Sequence, residues 1–218
     1  MSSPNLPAPN APATSRRGLM ISLAAAVVVL GAIGFDTKVV RIGAGQDGSP
    51  QAFSPDKFGQ EQFPRIQELV VKRAIDAPTL ASAVLADKAA AIKQYGTESS
   101  TGAILPVRLS GVAGESKSGV YDLKIEGVPD DIHVRVQTGP AINGADLRDA
   151  QEDIKFGQFK NQIEYQDAGS GINRAMKKAV LDPIDAANLS GKTIDLVGVF
   201  RLINPKNWVI TPVKVAVK

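Results

Sequence analysis

Tyr121, Leu123 and Ile125 alternate with Asp122, Lys124 and Glu126. After Gly127-Val128-Pro129-Asp130, a second run sets Ile132, Val134 and Val136 against His133, Arg135 and Gln137. An apolar residue at every second position is the period of a strand with one buried face, and two such runs across a short turn predict a hairpin. The same reasoning predicts an earlier strand over Ile104 to Val112. A last pair, Thr193 to Ile203 and Trp208 to Val217, is joined by Asn204-Pro205-Lys206-Asn207.

Elsewhere the period lengthens. Ser54-Pro55-Asp56 is a helix start, with a capping hydroxyl, proline in the first turn and an acid behind it. Phe63, Ile66, Leu69, Val70 and Ala74 follow at three- and four-residue spacing, and Pro64 is expected to break or reset that helix. Asp76-Ala77-Pro78 opens a second helix carrying Leu80, Val84, Leu85, Ala89 and Ile92 and ending at Tyr95 with Gly96 as its cap. A further helix is expected over Asp167 to Leu181, from Ile172, Ala175, Met176, Ala179 and Val180.

These elements predict an α+β chain in which a helical hairpin (55–96) precedes a β-rich domain (97–218). About five antiparallel strands with a helix inserted before the last pair describe a small, OB-like barrel, and a small α+β sandwich fits the same pattern.

The longest apolar run lies ahead of all this. Gly18 to Phe35 (GLMISLAAAVVVLGAIGF) holds eighteen residues without a charge, at the short end of what a helix needs to cross about 30 Å of hydrocarbon. It is longer than a cleaved signal requires and lacks a clean Ala-x-Ala, so an uncleaved transmembrane signal-anchor is expected, with cleavage after Ala32-Ile33-Gly34 as the alternative. Residues 1–17, rich in Pro, Ser, Ala and Asn, form the expected disordered cytoplasmic tail, and 36–54 a linker. Arg16 and Arg17 precede the span, which keeps the N-terminus inside and sends the rest of the chain outward. Ser15-Arg16-Arg17 also resembles part of a twin-arginine export signal. The expected location is thus a bacterial inner membrane, crossed once, with the C-terminal domain in the periplasm.

Charge then narrows the classes. Taking Arg16 and Arg17 from the 25 basic side chains leaves 23 against 22 acidic ones after residue 35. A domain that near neutrality has no electrostatic footprint for nucleic acid. The chain has no cysteine, so disulfides, thiolate metal sites and lipid attachment at a cysteine are excluded.

Candidate chemistry is sparse. Gly43-Ala44-Gly45-Gln46-Asp47-Gly48 fits G-x-G-x-x-G, but Pro50 and Pro55 deny it the helix that would face a pyrophosphate. His133 stands on the polar side of its strand, and as the single histidine of a chain without cysteine it has only carboxylates as partners for a metal. Asp130-Asp131 and the Asp149–Asp153 run are paired acids of the kind that are normally solvated, and Ser116-Lys117-Ser118 lacks the desolvation a Ser–Lys nucleophile needs. No catalytic residue, metal or cofactor is expected. The long polar segment from Gly139 to Tyr165 differs, because irregular loops carry binding functions on rigid scaffolds. Arg135 and Gln137 before it and Asn143, Arg148, Asp149, Asn161 and Gln162 within it are the candidate ligand- or partner-binding residues. The alternative is structural: Arg148 and Asp149 pair locally, and Phe156, Phe159 and Tyr165 close the bottom of the barrel.

The stretch Val134-Arg135-Val136-Gln137-Thr138-Gly139-Pro140-Ala141-Ile142-Asn143-Gly144, with Leu147-Arg148-Asp149-Ala150 and Ile154 to Tyr165, resembles the bacterial domain-of-unknown-function family 2291, predicted periplasmic lipoproteins. That resemblance implies an envelope protein often encoded beside sugar-type ABC importers. Members commonly carry a lipobox cysteine where this chain reads Leu30-Gly31-Ala32-Ile33-Gly34, so the apolar helix itself would be the anchor. The expected function is a membrane-anchored periplasmic accessory or binding protein whose partners are importer components or a small solute. The rivals are an oligosaccharide-directed enzyme with a carboxylate pair and a nucleic-acid-binding OB-like domain.

Overall fold

The computed structural model describes residues 52–99 and 101–218, together with Met20 and Val27–Leu30. The chain divides into two units, Met1–Gln51 and Ala52–Lys218. Of the first, Met20 and Val27–Leu30 are helical and exposed. The expected tail, most of the span and linker, and the glycine motif lie outside the described residues. Among the described residues no helix is long and apolar enough to cross a membrane.

The second unit opens with α1 (Pro55–Arg73), capped by Ser54, whose hydroxyl accepts from the Lys57 amide. The helix runs through Pro64, so the expected break does not occur. Phe63, Ile66 and Val70 flank the proline and are all buried, and packing that apolar stripe outweighs one missing backbone hydrogen bond. A two-residue strand, β1 (Ile75–Asp76), leads into α2 (Ala77–Ala86) and α3 (Lys88–Tyr95). One helix was expected over this stretch. Asp87 splits it, because its extended backbone (φ −155°) starts a new helix and its carboxylate accepts from the amides of Ala89 and Ala90 at 2.8 and 3.0 Å.

Five strands then close a barrel: β2 (Ala103–Lys117), β3 (Val120–Lys124), β4 (His133–Gln137), β5 (Thr193–Leu202) and β6 (Asn207–Val217). Their order is β2-β3-β4-β6-β5, and β5 pairs back to β2. The hairpin read around Gly127 is the antiparallel pair β3–β4. The sheet is not wholly antiparallel, however: β4 and β6 run parallel, with Val134 opposite Trp208 and Val136 opposite Ile210. β2 extends beyond the expected Val112 because one strand serves two partners, β5 up to Val112 and β3 from there onward, with a register shift between Ala113 and Ser116. Such a shift bends a strand around a barrel corner.

Two hydrophobic cores result. The barrel interior holds Leu105, Val107, Tyr121, Leu196 and Phe200 stacked on Trp208 (centroids 4.5 Å apart), and α2 and α3 contribute Leu80, Val84 and Ala91 to it. The second core lies between the strands' outer side (Ile104, Val199, Val213) and the helices α1 and α5 (Gln162–Met176). The helices before the barrel are therefore not a hairpin of their own: α1 belongs to one core, α2 and α3 to the other. The helix expected at Asp167 begins at Gln162, capped by Asn161, so the irregular segment ends there and Tyr165 is helical. α5 passes into a π-type turn over Lys177–Leu181.

Candidate functional site

The segment between β4 and α5 makes one short helical turn, α4 (Asp146–Asp149), which presents Asp146, Arg148 and Asp149 together. β5 supplies the fourth member. Arg201 donates through Nε to Asp146 Oδ1 at 3.0 Å and through Nη2 to Asp149 Oδ2 at 2.8 Å. Its Nη1 reaches the hydroxyls of Ser99 and Thr101, both at 2.6 Å. Arg148 donates from Nε to Asp149 Oδ1 at 2.8 Å and from Nη1 to the Tyr165 carbonyl at 2.8 Å, and its guanidinium lies 3.5 Å from the Tyr165 ring centroid. Side-chain exposure is 14% for Arg201, 13% for Asp146, 9% for Asp149 and 7% for Arg148. Two buried cations meet two buried anions, the condition under which charges survive out of water.

Burial pushes the Asp146 carboxyl above its ordinary range, and the neighbouring Arg201 only partly offsets that. Burial alone would lower Arg201, but the two carboxylates reverse the effect and hold its guanidinium above the usual value.

Beside this network lies a cleft of about 630 Å³, walled by α3 and the loop after it on one side and by residues 149–156 and Tyr165 on the other. Phe156, half exposed, packs edge-on to Tyr165 (5.7 Å). Tyr165 in turn meets Phe159 (5.3 Å), and Phe159 meets Phe53 and Phe58. Phe159 and Tyr165 pack with Phe58 of α1 in the second core and not at the bottom of the barrel, and Phe156 lines the cleft. Lys93, Glu98, Glu152 and Lys155 stand around the mouth.

The seven candidate residues go to different places. Arg148 and Asp149 enter the network, beside the cleft. Gln137 is buried and pins the following loop: its amide donates to Thr211 Oγ1 (3.1 Å) and the Asn143 carbonyl (3.2 Å), and its oxygen accepts from the Asn143 amide (3.0 Å). Asn143 is thus held through its backbone, with its side chain exposed. Arg135 lies on the outer face of β4, opposite Asp122, and donates to Asn207 Oδ1 at 2.7 Å. Asn161 caps α5 by accepting from the Glu164 amide at 2.9 Å, and Gln162 is the exposed first residue of that helix.

Asp146, Arg201, Ser99 and Gln151 were not singled out from the sequence. Arg201 alone carried a signal, as a charge in the apolar run Leu196 to Ile203. Among the described residues no three His, Asp or Glu side chains gather to hold a metal ion. His133 is exposed, and Asp131 pairs with Lys206 at 2.7 Å. The outer face of β3 and β4 carries Asp122, Lys124, His133 and Arg135, with no aromatic ring.

Residues 23–216 match a protein family described as "Predicted periplasmic lipoprotein (DUF2291)". The chain belongs to this family. Its fold is shared with a crystal structure titled as an OB-fold protein from Thermotoga maritima, at a TM-score of 0.61 and 16% sequence identity, over 77% of this chain and all of that one. No curated protein matches the chain. The closed β2-β3-β4-β6-β5 order, with a helix between β4 and β5, is accordingly an OB-type barrel.

Proposed function

We propose that the protein is a non-catalytic accessory or binding component of the bacterial envelope. It is held at the inner membrane by residues 18–35, with the barrel in the periplasm, and uses the cleft beside Arg148 and Asp149 to engage a small solute or a component of a sugar-type ABC importer. The family description supports the compartment. The observation that carries the rest is the cleft itself, whose ionic floor is spent within the protein.

Asp146 and Asp149 are the converging carboxylates that a glycosidase would need, yet both accept hydrogen bonds from Arg201 and Asp149 also from Arg148. Each is thus engaged by an arginine within the protein, which supports the non-catalytic reading. What such a network does supply is shape, because it ties α4 to β5 and to the loop at Ser99 and so sets the cleft's walls. The nucleic-acid reading draws no support from the outer face of β3 and β4, where base stacking would need aromatic platforms.

The test has two readouts. Alkaline phosphatase fused after Lys218 is expected to be active, membrane-bound and full length. A photo-crosslinking residue at Phe156 is expected to capture a solute-binding or membrane component of an importer. An inactive fusion overturns the location. Crosslinks that are equally abundant from an exposed site on the far side of the barrel overturn the cleft as the contact.

A further inference from the structure

Gln151 is only 9% exposed, and among the described residues its Oε1 is buried without a hydrogen-bond partner. It sits in the wall of the cleft. An unsatisfied buried acceptor costs about 1–3 kcal/mol, so a side chain in that state is explained most simply by a donor that arrives from outside. The terminal carboxamide torsion is broad, and a ligand in the cleft has to turn the oxygen outward to meet it.

The charges at the mouth refine what that donor is. Glu98 and Glu152 form no ion pair among the described residues, and neither do Lys93 and Lys155. The other acid of the cleft, Asp149, is already neutralised by two arginines. The free groups are thus two anions, two cations, an orphaned acceptor and the half-exposed ring of Phe156. An ammonium is met by Gln151 Oε1, by Glu98 and Glu152 and by the ring's electron-rich face. A carboxylate is met by Lys93 and Lys155.

We propose that this cleft takes a small zwitterion bearing a primary ammonium and a carboxylate, that is, an amino acid. The inference rests on reading the cleft as a binding site. A neutral polyol would satisfy Gln151 but would desolvate four charged side chains without giving them counter-charges, an unfavourable exchange. A cleft of about 630 Å³ accommodates an amino acid with its side chain, within the size range of small-molecule sites.

The test is calorimetry on the full chain in detergent, with L-alanine and L-glutamine as probes and methylammonium, acetate and glucose as comparisons. The amino acids are expected to bind and the three comparisons to bind at least about tenfold more weakly. Gln151→Leu is expected to lose about tenfold in amino-acid affinity while its unfolding midpoint stays level or rises, since its side chain gives up no hydrogen bond among the described residues. That divergence separates a ligand role from a structural one. Glucose binding as tightly as the amino acids, no amino-acid binding at all, or unchanged affinity in Gln151→Leu each overturns the proposal. Importer crosslinks at Phe156 in the absence of amino-acid binding would leave the envelope-accessory reading standing and remove only this one.

Discussion

Gly59 of α1 and Gly171 of α5 face each other with no side chain between them: a Cβ added at Gly59 would overlap the Gly171 carbonyl, and one added at Gly171 would overlap the Pro55 carbonyl. The two helices therefore cross backbone to backbone. That closeness lets Phe63, Ile66 and Ile172 share one core against the outside of the barrel, and it places the start of α5, with Tyr165, beside the cleft.

Gly171→Ala is expected to destabilise the domain by about 1–3 kcal/mol, the usual consequence of forcing volume into a packed contact. The obstructing atoms belong to backbone, which cannot swing aside. Urea unfolding of the variant checks this, and a midpoint equal to that of wild type would show that the helices separate freely.

Removing the Arg201 guanidinium leaves Asp146 and Asp149 buried with too few partners. Arg201→Met is expected to cost about 3–5 kcal/mol, as breaking a buried ion pair from one side does. Replacing both aspartates by asparagine in the same background should recover part of that loss. If the triple variant is no more stable than Arg201→Met, the uncompensated charge is not the cause.

Asp146 gives the domain a pH dependence of definite sign. Burial raises its carboxyl pKa above the ordinary 3.8, so the folded state holds this proton more readily than the unfolded chain. Its contribution to stability is present below the ordinary value and is lost as pH rises through the raised one. Asp131 and Asp195 act oppositely: hydrogen bonds from Lys206 and Lys218 hold their carboxyls below 3.8, and their contributions are lost as pH falls through the lowered values. Asp146→Asn should abolish only the first effect. As pH rises from 3.8 through the raised value, the variant's unfolding midpoint is expected to rise more steeply with pH than that of wild type. Parallel curves would remove Asp146 as the source.

Gln137 holds the entrance to the segment that builds the site. Gln137→Leu is nearly the same size but strands the Thr211 hydroxyl and the Asn143 amide, at an expected cost of about 1–3 kcal/mol. Hydrogen exchange at Asn143 should accelerate well beyond that of the barrel strands. Uniform acceleration across the domain would instead mean that the fold as a whole, and not this loop, has loosened.

Much of the architecture was legible because it rests on local periodicity. Alternation at Tyr121–Ile125 and Ile132–Val136 reports which face of a strand meets the core, and Ser54-Pro55-Asp56 satisfies a helix terminus whatever lies beyond it. Family membership was legible as well, from the stretch between Val134 and Tyr165. What periodicity could not convey is which element meets which. Pro64 stays helical because two cores flank the strands and one of them needs α1. β4 lies parallel to β6 because closing the barrel brings the chain back in that direction, a constraint acting across some seventy residues.

The site divides along the same line. Arg148 and Asp149 are sequence neighbours, so their pairing could be read from the chain. Their counter-charges could not: Arg201 lies more than fifty residues away and Asp146 gains its meaning only beside it, since burial and charge pairing are properties of surroundings assembled by the fold. Gln151 makes the point most sharply. In the sequence it is one polar residue in a polar loop, and only the tertiary structure buries it in a cleft wall where, among the described residues, its oxygen has no partner, because burial is decided by residues distant in the chain.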